Sequence, residues 1–385
     1  MVKTGIDNIS EYMDIFKGKS VGLITNTTGY NSEFKSTIDI FNEKTDLKAL
    51  YSPEHGIRGE VQAGDKVKGD VDYKTGIKIY SLYDKKRKPS KEVLNDIDVL
   101  VFDIQDVGAR FYTYLYTMSY AMESCKEFGK EFVVLDRPNP INGVDVEGNL
   151  LDLKYKSFVG RYSIPQRYGL TMGEMARLFN EEFSIGCTLN IVKMTGWQRD
   201  MYYEDTGLNW IMPSPNMPTV DTAVVYPGTC IFEGTNISEG RGTTKPFEII
   251  GAPWLDAGRL SDKMNAFGFE GVKFREVAFR PTFSKHMGSL CYGVQIHVTD
   301  RKVYKPVKVG LFLYEVIRKE SGEYFQFTSL SRGRITKYGI DCLIGDSSIK
   351  EAEISAEDIY KRWKSESDEF IKLKNKYSIY GLVEN

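Results

Sequence analysis

The stretch Asp98-Val-Leu-Val-Phe-Asp103, continued by Ile104-Gln-Asp-Val-Gly-Ala-Arg110, decides the fold. An almost unbroken apolar run bounded by charges has the length of a strand, and polar residues follow it at once. Working outward, Val21-Gly-Leu-Ile-Thr25, Leu47-Lys-Ala-Leu-Tyr51, Ile77-Lys-Ile-Tyr80 and Glu131-Phe-Val-Val-Leu-Asp136 read as further strands. Helical patterns lie between them at Glu33–Asn42 and Tyr112–Phe128. Strand and helix alternating at this spacing predict a parallel sheet with helices on its faces, a Rossmann-like α/β half. Thr171-Met-Gly-Glu174 has the form of a capping box opening a helix to about Phe183, and Thr188–Met194 is strand-like.

Between Met212 and Pro253 the chain is rich in proline and glycine, which predicts irregular backbone containing the domain boundary. Beyond it come a helix at Ala257–Phe267, strands at Val272–Phe279 and Tyr292–Val298, a helix after Pro306, and a last helix opened by Ser355-Ala-Glu-Asp358. The expected architecture is therefore a Rossmann-like domain over 1–225 and a smaller α+β C-terminal domain over 226–385 that completes a cleft. A chain of 385 residues has room for both cores.

Composition removes several function classes. With 41% apolar and 27% charged residues, the chain is neither disordered nor a disulfide scaffold. A net charge of −2 and no basic run longer than Lys85–Lys88 argue against nucleic acid as a partner. No stretch approaches the roughly 20 apolar residues of a membrane span. The segment from Met1 to Asp7 lacks an apolar signal region, so a cytoplasmic location is expected, or export if a signal segment precedes it. Five dispersed cysteines without a C-x-x-C pair read as buried thiols, and three histidines without ligand-spaced partners make a metal centre improbable.

In an open parallel sheet, ligands bind beyond the carboxyl ends of the strands. The loops there are Asn26-Thr-Thr-Gly29, Ser52-Pro-Glu-His-Gly-Ile-Arg58, Ile104–Arg110 and Arg137-Pro-Asn-Pro-Ile-Asn142. The first contains neither glycine pattern of a phosphate loop, so no nucleotide cofactor is expected. Carboxylates, amides and arginines remain, a set suited to a hydroxyl-rich sugar. Glycoside cleavage needs a protonated carboxylic acid beside the leaving oxygen and a second group on the opposite face. Glu54 is the candidate acid, because Pro53 restrains its backbone and burial would raise its pKa. Asp103, Asp106 and Asp136 compete for the second role. Arg58, Arg110, Arg137, Arg161 and Arg241 are candidates to hold a ligand carboxylate. Plainer readings stand beside these: Glu54 as a solvated loop residue, His55 as a hydrogen-bonded one, Asp103 and Asp136 as caps, and Asp106 with Arg110 as an i,i+4 pair.

Five segments carry a resemblance: Val21–Gly29, Ser52–Gly59, Phe102–Tyr114, Leu135–Gly143 and Phe232-Glu-Gly-Thr-Asn-Ile-Ser-Glu-Gly-Arg-Gly-Thr-Thr244. Together they resemble the NamZ/YbbC family of exo-β-N-acetylmuramidases, from about Gly5 to the C-terminus. The resemblance implies a cleft between a Rossmann-like and a smaller domain, and release of N-acetylmuramic acid from the non-reducing end of peptidoglycan fragments without metal or nucleotide. It carries the family's key glutamate onto Glu54. The expected catalytic set is Glu54, His55 and Asp106. The expected saccharide-binding set is Asn26, Arg58, Asp103, Gln105, Arg110, Asp136, Arg137, Asn139, Glu233, Asn236, Glu239 and Arg241. The alternative is a protein that binds muramyl sugars without turnover.

Overall fold

The computed structural model describes residues 1–53, 56–57, 71–82, 87–332, 335–351 and 354–381. Among the described residues, six parallel strands form the main sheet: β1 (Ser20–Thr25), β2 (Asp46–Ser52), β3 (Lys78–Ser81), β4 (Val99–Asp103), β5 (Glu131–Leu135) and β6 (Thr188–Val192). Their order is β3-β2-β1-β4-β5-β6, the doubly wound Rossmann order. Every residue of β4 is buried, as expected for a central strand covered on both faces. The order in which strands are added to the sheet reverses between β1 and β4, which run parallel with Thr25 beside Asp103. A crevice opens at such a switch point.

Helix α1 (Thr37–Lys44) follows β1, α2 (Tyr114–Phe128) follows β4, and α3 (Met172–Glu181) precedes β6. The α1 helix begins four residues later than its pattern suggests, because Phe34 takes a left-handed φ of 59° and Ser36 supplies the cap through Ile38 N. The α3 capping box is present in both halves, Thr171 to Glu174 and back. One apolar layer, with Leu23, Val101 and Phe41, packs on α1; the other, with Phe102, Leu115 and Phe179, packs beneath α2 and α3.

The region expected to be irregular contains a helix, α4 (Val220–Thr229), with Pro227 inside it. Thr219 caps it, and Ala223, Val224 and Val225 are buried in the second core. Tertiary burial overrides the local proline and glycine content here. The expected 225/226 junction falls within this helix. Strands β7 (Ile249–Ala252), β8 (Val272–Phe279) and β9 (Cys291–Val298) make a small antiparallel sheet in the order β7-β9-β8, with α5 (Ala257–Ala266) against it and α6 (Pro306–Ser321) packed on α4 and α5. A hairpin of β10 (Ser329–Arg332) and β11 (Ile335–Tyr338) leads into α7 (Gly339–Ile344).

The last helix, α8 (Ala356–Tyr377), joins the two lobes. Its Ile359 and Trp363 belong to the C-terminal core, whereas Phe370 and Tyr377 belong to the core beneath the large sheet. One continuous helix thus contributes side chains to both cores. All five cysteines are buried. Among the described residues no helix is long and apolar enough to cross a membrane.

Candidate functional site at the carboxyl edge of the sheet

The loop after β4 is built around Asp106 and Gly108. Gly108 has φ 79°, and a Cβ there would sit 2.5 Å from Asn139 Oδ1, so only glycine fits. Its N–H donates to Asp106 Oδ1 at 2.9 Å, and Tyr168 Oη donates to the same oxygen at 2.5 Å. Asp106 Oδ2 is buried and has no partner among the described residues. Burial pushes the Asp106 carboxyl up to about 6, while the bonds from Tyr168, Gly108 and Val107 oppose that rise.

The loop after β1 joins this cluster. Thr28 donates to Asn26 Oδ1 through both its N–H (2.9 Å) and its hydroxyl (2.6 Å), and Thr28 Oγ1 in turn receives the Gln105 N–H at 2.9 Å. Gln105 Nε2 donates to the Asp106 and Pro138 carbonyls, both at 2.8 Å. Asn26 Nδ2 and Gln105 Oε1 are then left buried without a partner among the described residues. Buried polar groups are nearly always satisfied, so three unfilled atoms on two adjoining loops mark a place where water or ligand completes the bonding. Thr28, Gln105 and Arg137 also line a small recess with Tyr30, Tyr203 and Leu208.

Several other expected site residues are committed to one another. Asp103 is fully buried and accepts from Arg137 Nε at 2.6 Å, from Arg137 Nη2 at 2.9 Å and from Thr37 Oγ1 at 2.5 Å. Asp136 accepts from the Arg137 and Gly173 amides and from the Thr171 and Tyr380 hydroxyls, at 2.7–2.9 Å. Despite those bonds, burial pushes its carboxyl up to about 6. Asn139 bonds the Leu170 carbonyl and the Ile141 amide, shaping its own loop.

Arg110 is fully buried and does not pair with Asp106. Its guanidinium donates to the carbonyls of Asn149, Ile164, Leu343 and Ile344, the last two at the carboxyl end of α7, where the helix dipole favours a cation. Burial lowers its pKa to about 10, opposed only in part by Tyr116 and the Glu366 carboxylate. Arg161 bonds Glu123 at 2.6 Å and Ser119 at 3.0 Å. Glu54, His55 and Arg58 lie outside the described residues. Their described neighbours Pro53, Gly56 and Ile57 are buried just beyond the end of β2.

The C-terminal lobe brings Glu233, Glu239 and Arg241 together. Arg241 binds Glu233 Oε1 with two nitrogens, at 3.0 and 2.5 Å, and approaches Glu239 at 3.3 Å. Lys285 closes the group on Glu239 at 2.8 Å. Arg241 lies over Phe247, which stands edge-on to Tyr226, and Tyr226 stands edge-on to Tyr112 from the loop after β4. Tyr112 packs against both large cores, so this aromatic series links the two lobes at the cleft. Asn236 is apart from the group: it bonds the Tyr324 carbonyl and the Gln326 amide.

Tyr168 and Tyr226 enter this site from outside the quoted motifs, whereas Thr28 and Tyr112 lie within them but outside the expected site set. Tyr168 is 62 positions from Asp106, and no local spacing points from one to the other.

The fold and the site define a two-lobed Rossmann-like α/β protein with carboxylates and amides where a nucleotide-binding sheet has its glycine-rich loop. Family models described as "Exo-beta-N-acetylmuramidase NamZ, N-terminal" and "Exo-beta-N-acetylmuramidase NamZ, C-terminal" match residues 21–221 and 224–380, and the chain belongs to this family. It is 51% identical, over 98% of its length and 91% of the relative's, to the peptidoglycan beta-N-acetylmuramidase NamZ of Bacillus subtilis (strain 168). Two crystal structures of DUF1343 family proteins from Bacteroides fragilis are similar across 99% of each chain. One has a TM-score of 0.89 at 38% identity, the other 0.79 at 30%.

Proposed function

We propose that this chain is an exo-β-N-acetylmuramidase, a glycoside hydrolase that releases N-acetylmuramic acid from the non-reducing end of peptidoglycan fragments. The observation that carries this reading is 51% identity, spanning both lobes, to a relative named for that activity. The unfilled polar atoms at the switch point support it, because a saccharide brings both donors and acceptors to such an edge.

In this proposal Glu54 protonates the leaving glycosidic oxygen, with His55 beside it in sequence, and Asp106 presents Oδ2 to the sugar ring. Asn26 Nδ2 and Gln105 Oε1 supply one donor and one acceptor to its substituents. Arg137 and Arg110 are spent on Asp103 and on carbonyls, respectively, and act as framework. Arg241, about one-fifth exposed, holds Glu233 through Nε and Nη2, and its third nitrogen, Nη1, is the donor we assign to the lactyl carboxylate. The peptidoglycan-derived saccharide is the sole partner this mechanism requires.

The test is Glu54→Gln assayed on a chromogenic β-N-acetylmuramide and on a MurNAc-GlcNAc disaccharide. Loss of about 10²–10⁴ in kcat is expected for removal of a general acid. Activity within about tenfold of wild type would refute the assignment. A wild-type protein that binds the disaccharide and frees no sugar would instead favour the non-catalytic alternative.

A further inference from the structure

Among the groups at the sheet edge, Tyr168 has the most constrained relation to a reacting carboxylate. Its segment is threaded between the loop after β4 and the chain at residue 147. Arg110 N donates to the Gln166 carbonyl at 2.8 Å, and Arg167 and Glu147 exchange both backbone bonds at 2.9 and 3.0 Å. The Arg167 side chain, itself buried, is pinned to Glu147 at 2.9 Å and Asp145 at 3.2 Å. These contacts fix the backbone from which Tyr168, 1% exposed, directs its hydroxyl at Asp106 Oδ1.

The consequence lies in the two oxygens of Asp106. Oδ1 accepts from Tyr168 and from Gly108 N, whereas Oδ2 is buried without a partner among the described residues. An oxygen already holding two donors is the poorer site for a proton, so Oδ2 is the atom through which Asp106 exchanges a proton or accepts a bond. We propose that Tyr168 is a positioning residue for Asp106: its hydroxyl holds the carboxylate ionised and turned so that Oδ2 accepts a hydrogen bond from a donor group of the bound saccharide. This rests on the glycosidase reading above and assigns a role to a side chain outside the motif loops.

The electrostatic setting is consistent with that role. Burial favours the neutral acid, and the Tyr168 hydroxyl and the Gly108 and Val107 amides favour the anion. Among the described residues, Tyr168 and Tyr116 from α2 are the titratable groups that feel the Asp106 charge; burial raises the pKa of both, and that charge adds to the rise. Tyr116 donates its own proton to the Arg110 carbonyl, which leaves Tyr168 as the tyrosine bonded to the carboxylate.

The experiment is the pH dependence of kcat/KM on a chromogenic β-N-acetylmuramide for the full-length wild type, Tyr168→Phe, Asp106→Asn and the double variant. Removing a donor that favours the anion raises the Asp106 pKa, so the acid limb of the Tyr168→Phe profile is expected to move alkaline by about one pH unit. Activity then falls about fivefold near pH 6 and recovers toward wild type above pH 8. Asp106→Asn is expected to lose that limb, and Tyr168→Phe to add nothing in its background. A Tyr168→Phe profile superimposable in shape on wild type would overturn the proposal while leaving the hydrolase reading intact. Persistence of the limb in Asp106→Asn would overturn it equally, without requiring the tyrosine variant to fold. A wild-type chain without hydrolysis would sink the glycosidase reading and this inference with it.

Discussion

Consider Tyr380→Phe, a one-atom deletion in the segment after α8. The Tyr380 hydroxyl donates to Asp136 Oδ2 at 2.7 Å and accepts from Met194 N at 2.9 Å, tying the end of the chain to the loops after β5 and β6. Removing it breaks a bond to a buried carboxylate, about 1.5–3 kcal/mol, and leaves the Met194 N–H without its acceptor. The expected loss at pH 7.5 is about 3 kcal/mol. The pH dependence is the sharper signature. The folded pKa of Asp136 stands at about 6 against about 3.9 for an unperturbed aspartate, so the native state binds more protons than the unfolded state between those values. Stability linked to this group is therefore greatest below the unfolded pKa and is lost as pH rises through the folded one. Phenylalanine removes a donor that favours the anion, which lifts the folded pKa further. Each added unit costs about 1.4 kcal/mol at high pH and nothing at low pH. Urea unfolding followed by circular dichroism at pH 4.5, 6 and 7.5 should then show a difference from wild type that grows by about 1–2 kcal/mol across the series. A difference independent of pH, or below about 0.5 kcal/mol throughout, would refute this account of the Tyr380–Asp136 bond.

Two further substitutions probe the framework that holds the cleft. Gly228 in α4 faces Gly310 in α6, and a Cβ on Gly228 would lie 1.9 Å from the Pro306 carbonyl oxygen. Gly228→Ala should therefore force the helices apart at about 3 kcal/mol, and a loss under about 1 kcal/mol in urea unfolding would show that the contact yields. Arg110→Met removes the donor shared by the Asn149, Ile164, Leu343 and Ile344 carbonyls. A loss of about 3 kcal/mol is expected from the orphaned acceptors, and unchanged stability would mean that relief of the buried charge offsets them.

Much of the fold is legible one segment at a time. The capping box at Thr171, the buried run of β4 and the apolar stripe of α8 are each local patterns, and each stands where its pattern places it. The exceptions have identifiable causes. At α1 a left-handed Phe34 delays the helix, and at α4 burial in the second core outweighs Pro227 and the flanking glycines. The strand-end rule brought Asn26, Gln105 and Asp106 to attention, and the structure gathers them at the switch point. The plain expectation of an Asp106–Arg110 pair does not hold, because Arg110 turns to the carboxyl end of α7, more than 230 positions away.

Read alone, the chain establishes the alternation of strands and helices, the absence of a phosphate loop and the family resemblance, because each resides in residues close together along the backbone. Which polar groups are consumed and which stay open is decided only by tertiary packing. Asp103 and Arg137 lie 34 positions apart, and Asp136 and Tyr380 lie 244 apart. A carboxylate is silenced or left free by whatever the lateral order of the strands and the docking of the C-terminal lobe set against it, and sequence separation carries no record of that geometry.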